Sequence, residues 1–118
     1  MPAGTANTVL FNEAGLTIVG ACAAGSALSL TATTSKGASS IFTFSNDDGT
    51  PADPLEDDFE NAGFDPGDTL DLFAGDDADI AQVQFGYSNT DNQSVIGSLY
   101  TDEGGTPNCL VTGFITFG

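Results

Sequence analysis

Carboxylates are the only abundant side chains in this sequence with chemistry to offer. Seventeen Asp and Glu residues stand against a single basic residue, Lys36, with no His and no Arg. Nine of the seventeen fall in SNDDGTPADPLEDDFENAGFDPGD, from Ser45 to Asp68. Hard oxygen ligands in irregular loops suit Ca2+, which accepts about six to eight of them. Two clusters are candidates: Asn46-Asp47-Asp48-Gly49-Thr50 and Gly75-Asp76-Asp77-Ala78-Asp79, with Asp65 and Asp68 placed to complete a site from a neighbouring turn. Neither has EF-hand spacing, and both also read as ordinary turns on a solvated acidic surface. Calcium ligation and solvated turn therefore stand side by side as readings of Asp47, Asp48, Asp65, Asp68, Asp76, Asp77 and Asp79.

The missing residue types decide more. Without imidazole there is no Ser-His-Asp or Cys-His nucleophile, and a catalytic or structural zinc lacks its usual ligand set. No phosphate-binding loop or dinucleotide fingerprint occurs, and without Arg a cationic phosphoryl clamp is missing. A carboxylate pair of the glycosidase type survives, but seventeen carboxylates place some pair at any chosen separation, and no Trp is present to stack on a sugar. The expectation is a protein that is not an enzyme, with a carboxylate-pair glycosidase as the remote alternative. A formal charge of −16 repels phosphate backbones and anionic headgroups, so nucleic acid and membrane surfaces are poor partners. No apolar run approaches the length of a membrane span. Thirteen Asp to four Glu is also a composition found in high-salt surroundings, where counterions screen self-repulsion.

Cys22 and Cys109 each lie in an apolar run near opposite ends of the chain. An even count with no His favours a disulfide over a metal set, against the alternative of two buried thiols. A disulfide implies an oxidising compartment, yet MPAGTANTVLF lacks the charged and apolar regions of a signal peptide. The expectation is an excised mature domain with an added Met1, extracellular or at the cell surface.

The elements that must position these groups read as strands. At 118 residues the chain fits one domain, with residues 1–7 expected as a flexible N-terminus. Period-two runs predict eight strands near 8–11, 16–23, 27–34, 39–44, 69–73, 80–87, 94–101 and 109–117. That pattern predicts an all-β antiparallel sandwich or jelly roll. Short Gly-bearing links at Ala24–Ser26 and Ser35–Gly37 suit tight hairpins and make strands two to four a meander. Asp102–Asn108 reads as a longer hairpin connection. Asp53-Pro54-Leu55-Glu56 carries an N-cap Asp, Pro at the first helical position and Glu three residues after the cap, predicting a short helix near 54–62 anchored by Leu55 and Phe59. Asp65-Pro66-Gly67-Asp68 has the chemistry of a type II turn. In the last strand Cys109, Val111, Ile115 and Phe117 share one side, while Leu110 and Phe114 share the other with Thr112 and Thr116. Both sides are apolar, so Leu110 and Phe114 are either covered within the domain or form a subunit interface.

At EAGLTIVGACAAGSALSLTATTS and IGSLYTDEGGTPNCLVTG the chain resembles the C-terminal globular regions of exported actinobacterial proteins of unassigned function, some of which follow collagen-like stalks. The similar elements are Gly15-Leu16, Cys22, the Leu28-x-Leu30-x-Ala32 alternation, Gly97-x-Leu99-Tyr100, and Cys109 with Gly113. The resemblance implies an exported β-domain with paired cysteines that trimerises as stalk heads do, and it brings no catalytic residues. The Gly-X-Y repeat is absent from this chain, and the acidic insertion from Asp47 to Asp68 has no counterpart in the resemblance. The function expected is therefore a structural or interaction head that associates with itself or with an extracellular protein or glycan. Calcium-dependent glycan binding is the alternative.

Overall fold

A computed structural model describes residues 1–24, 27–47, 56–74, 80–102 and 109–118, with the backbone alone for 46–47, 56–61, 74 and 80. In these residues the chain forms β1 (Thr5–Glu13), β2 (Leu16–Cys22), β3 (Leu28–Thr34), β4 (Ser39–Asp47), β5 (Glu56–Phe64), β6 (Leu70–Ala74), β7 (Ile80–Ser88), β8 (Ser94–Asp102) and β9 (Leu110–Phe117). They make two antiparallel sheets, ordered β1-β2-β3-β6 and β5-β4-β7-β8-β9. All eight predicted strands are present. Burial alternates residue by residue in β2 and β3, as expected where one face packs on a core and the other meets solvent.

The short helix predicted near 54–62 is not formed: residues 56–62 lie in β5, and Pro54 and Leu55 are outside the described residues. β5 pairs with β4 from Ser39↔Phe64 to Asn46↔Glu56. A helix this short closes few backbone hydrogen bonds and is marginal in water. The exposed edge of β4 offers the same residues a ladder of partners, and that tertiary pairing overrides the local capping signal.

Strands two to four are not a meander either. β4 leaves the sheet of β3 and pairs with β7 without interruption from Ser40↔Ser88 to Asp47↔Ala81. The link from Ser35 to Ala38 thus crosses between sheets rather than closing a hairpin, with Ala38 in the left-handed region at φ 55°. The β6–β7 connection crosses too. Since β3 neighbours β6 and β4 neighbours β7, the two crossings interlock the sheets.

The core lies between them, built from Leu16, Ile18, Leu30, Leu72, Val83, Phe85 and Val95 among others, all buried. Phe85 lies across its cross-strand partner Gly97, where a β-carbon would collide with the ring. The Cys22–Cys109 disulfide, with Cα atoms 5.9 Å apart, joins β2 to the residue preceding β9 and so ties the two sheets at one end. Nearby, Met1 and Cys109 exchange backbone hydrogen bonds, both 2.7 Å. Of residues 1–7, expected as a flexible terminus, Thr5–Asn7 belong to β1.

The opposite end is organised by polar side chains. Tyr87 Oη lies 2.8 Å from Thr34 Oγ1 and 3.3 Å from Ser39 Oγ, linking β7 to β3 and β4. Asn89 Nδ2 donates to the Ala14 carbonyl at 2.8 Å, and Asn89 Oδ1 accepts from the Asp91 and Gln93 amides at 2.9 and 3.2 Å. Lys36 pairs with Asp91 at 3.0 Å, an exposed ion pair of small energetic weight.

Candidate interaction face

The antiparallel path of the chain separates the carboxylates proposed as ligands. Asp65 and Asp68 sit in the turn before β6, at the Tyr87 end, because Phe64 pairs with Ser39 at the start of β4. Asp47 closes β4 at the other end, about 27 Å away at roughly 3.4 Å per residue. Asp65 and Asp68 therefore cannot complete a site with Asp47. Both carboxylates are engaged at this end: Asp65 Oδ1 accepts from the Ala38 amide of the β3–β4 link at 2.6 Å, and Asp68 Oδ2 accepts from the Asp65 amide at 3.0 Å. The Asp68 amide donates to the Asp65 carbonyl at 3.0 Å with Gly67 at φ 96°, the type II turn the sequence predicts. The 75–79 connection leaves β6 at Ala74 and enters β7 at Ile80, beside Asp47, at the disulfide end. Asp48, Asp76, Asp77 and Asp79 themselves lie outside the described residues. Among the described residues no group of three or more His, Cys, Asp or Glu could hold a metal ion. At this same end Asp102 Oδ1 is buried with no hydrogen-bond partner among the described residues.

The other feature is apolar. In the five-stranded sheet, Ile41, Val83, Phe85, Val95 and Leu99 face the core, so the alternate positions of β4, β7, β8 and β9 form an outer face. It carries Phe42, Ile96, Leu110 and Phe114, which are 54%, 59%, 48% and 63% exposed, with Phe44 and Tyr100 also exposed. Registers place Phe42, Gly86, Ile96 and Thr116 in one row across four strands. Phe42 lies over Gly86, which has no room for a β-carbon beneath the ring. Beside this row a groove of about 410 Å³ opens, lined by Phe42, Gly86 and Ile96 and by Ser40, Ser88 and Ser94. The remaining described positions from the Tyr100 row to the Tyr87 end are Gln82, Gln84, Ser98 and Thr112, so this part of the face holds no charge. Asp102 bounds it at the disulfide end. β5, with Glu56, Asp57, Asp58 and Glu60 in its sequence, bounds it along one side.

Leu110 and Phe114, the candidate interface residues of the sequence, thus belong to a wider surface whose members Phe42, Phe44, Ile96 and Tyr100 were not among them. The signal that could have found them is the one used for β9. In β4 and β8, as in β9, large apolar residues occupy both alternating positions, whereas a strand with one wet face shows a polar set.

These features define a small all-β domain of two antiparallel sheets, tied by one disulfide and carrying exposed apolar side chains on an uncharged stretch of one outer face. Compared with family models, curated proteins and solved structures, the chain matches none of them. No helix among the described residues is long and apolar enough to cross a membrane.

Proposed function

We propose that this protein is a non-enzymatic, exported structural module of β-sandwich architecture that self-associates through the apolar outer face of its five-stranded sheet. The observation that carries the reading is the contrast between that face and the rest of the chain. A monomer's antiparallel sheet keeps its outer face polar, and contiguous exposed apolar patches mark interaction surfaces. Two chains of charge −16 repel one another wherever carboxylates approach within about 8 Å, the screening length at physiological salt. The stretch across β7, β8 and β9, with carboxylates at its β5 and Asp102 margins alone, is where they meet at least electrostatic cost. The Cys22–Cys109 disulfide is compatible with an oxidising, extracellular setting.

Light scattering coupled to size-exclusion chromatography tests this. The wild-type protein is expected to run as a multiple of its 11.9 kDa chain, which also reads whether the assembly is the trimer of stalk heads. Ile96→Asp, which adds a carboxylate at an exposed position, is expected to give monomers with an unchanged circular dichroism spectrum. A wild-type monomer at millimolar concentration would overturn the reading.

One observation favours a second reading, calcium-dependent binding of a ligand such as a glycan. Asp102 Oδ1, buried and without a hydrogen-bond partner among the described residues, lies at the end where β4 closes at Asp47 and β7 begins at Ile80. Millimolar calcium added to EDTA-stripped protein is then expected to raise the melting temperature, and Asp102→Asn to abolish the shift. An unchanged melting temperature in the wild type would end this reading.

A further inference from the structure

Among the described residues the four sheet edges of this domain are unequal, and one carries no charge. Exposed edges present unpaired N–H and C=O groups to any second strand, and proteins blunt them with charge, irregularity or shortness. β5 carries four carboxylates in EDDFENAGF. β6 is five residues long and includes Asp71. β1 is broken by register shifts between Thr5 and Thr8 and between Val9 and Phe11. β9, LVTGFITF, is eight residues without a charge or a proline, paired in unbroken register with β8 on its other side.

The direction of its backbone groups follows from one pair. Ser94 and Gly118 exchange both backbone hydrogen bonds at 3.0 Å. By the alternation of an antiparallel ladder, Thr112, Phe114 and Thr116 then bond to β8, while Val111, Gly113, Ile115 and Phe117 turn their N–H and C=O groups to the open side. Cys109 has the same parity, and its outward groups are the ones that exchange bonds with Met1. The edge thus already accepts a β-type partner at its first rung, and among the described residues Val111 to Phe117 remain open.

We propose that two copies pair antiparallel through β9, on a two-fold axis at Phe114, into one continuous ten-stranded sheet. The proposal rests on the self-association reading and adds to it a contact at the sheet edge that adjoins the face. The occupant is a second copy because β9 alone of the four edge strands lacks a carboxylate, so in a chain of charge −16 it is the edge at which two copies meet without repulsion. With the axis at Phe114, outward-facing Val111 meets Phe117 of the second copy and Gly113 meets Ile115, each pair exchanging two hydrogen bonds. The strand brings no charge to the seam, so the strong acidity of both chains does not oppose contact there. Phe114 faces its own copy in a non-hydrogen-bonded pair, the closer of the two antiparallel spacings, about 4.5 Å between Cα atoms. With Leu110 it closes over the seam on the outer face, so the exposed apolar groups nearest the edge are the ones covered.

Single-cysteine variants with the native disulfide intact test the register. Phe114→Cys is expected to form an intermolecular disulfide on mild oxidation, since its Cα spacing lies within the range of a bridge, about 4.4–6.8 Å. Thr112→Cys and Thr116→Cys are each expected to stay uncrosslinked alone, because each lies about 13 Å from its own copy. Mixed together, these two are expected to crosslink. In the unmodified protein the amides of Val111, Gly113, Ile115 and Phe117 are expected to gain roughly tenfold or more protection from hydrogen exchange as concentration rises through the dimerisation range. A dimer by light scattering with no such crosslinking pattern and no protection at these amides would overturn edge pairing while leaving self-association through the face in place. A monomer at millimolar concentration would overturn both.

Discussion

Ala14 carries a conformation its side chain resists. It sits at φ 56° beside Gly15 at φ 82°, the two central residues of the turn that closes the Glu13↔Leu16 pair between β1 and β2. Two successive left-handed residues make the turn that matches strand twist, and Asn-Gly is its preferred sequence. A β-carbon in the left-handed region costs about 1–2 kcal/mol, a cost that Asn and Gly largely escape. Ala14→Asn is therefore expected to stabilise the fold by about 0.5–1 kcal/mol, read as a higher denaturation midpoint at unchanged slope. The hydrogen bond from Asn89 survives the change because it uses the Ala14 carbonyl. At this scale Leu110 and Phe114 were legible because a residue and its neighbour in β9 are both apolar. Phe42, Ile96 and Tyr100 obey the same rule, whereas Phe44 lies between Thr43 and Ser45, and which strands share a sheet, and so which exposed groups adjoin, is absent from local pattern.

Elements were legible where periodicity is local and lost where pairing is distant. The eight predicted strands alternate on their own account, whereas EDDFENAGF has no alternation to read and becomes β5 only through the ladder β4 provides. The same dependence gives the glycines of the large sheet their meaning. Gly97 lies beneath buried Phe85 and Gly86 beneath half-exposed Phe42, and in both a β-carbon would enter the ring's space. Their substitutions should differ all the same. Gly97→Ala forces a core ring to move within close packing and is expected to cost about 2–3 kcal/mol, the upper range for overpacking. Gly86→Ala lets the Phe42 ring swing into solvent and is expected to cost about 1 kcal/mol or less. Urea denaturation of the two variants side by side would show the ranking, and equal losses would count against the packing argument.

For the whole molecule, the disulfide is the covalent constraint, spanning 87 residues of sequence between the two sheets. Replacing both Cys22 and Cys109 by Ala is expected to destabilise the fold by on the order of 4 kcal/mol through the freed unfolded chain, with a further loss from two buried sites. Thermal unfolding of the double variant beside the wild type measures it, and a midpoint within a few degrees of the wild type would contradict it. The pairing of these cysteines was legible from count and chemistry. The separation of the acidic turns was not, since it depends on which way each strand runs. Asp65 and Asp68 proved to be parts of a turn at one end, and Asp47 belongs to the other. The strand directions have a mechanical consequence as well. Nine strands in the described chain, an odd number, carry it from Met1 beside the disulfide to Gly118 at the opposite pole of a body 41 Å long. A pull applied at those two points runs along β1 and β9, loading the rungs of their ladders together in shear rather than opening them one by one. Loaded in that direction, each ladder would yield as a whole and not rung by rung.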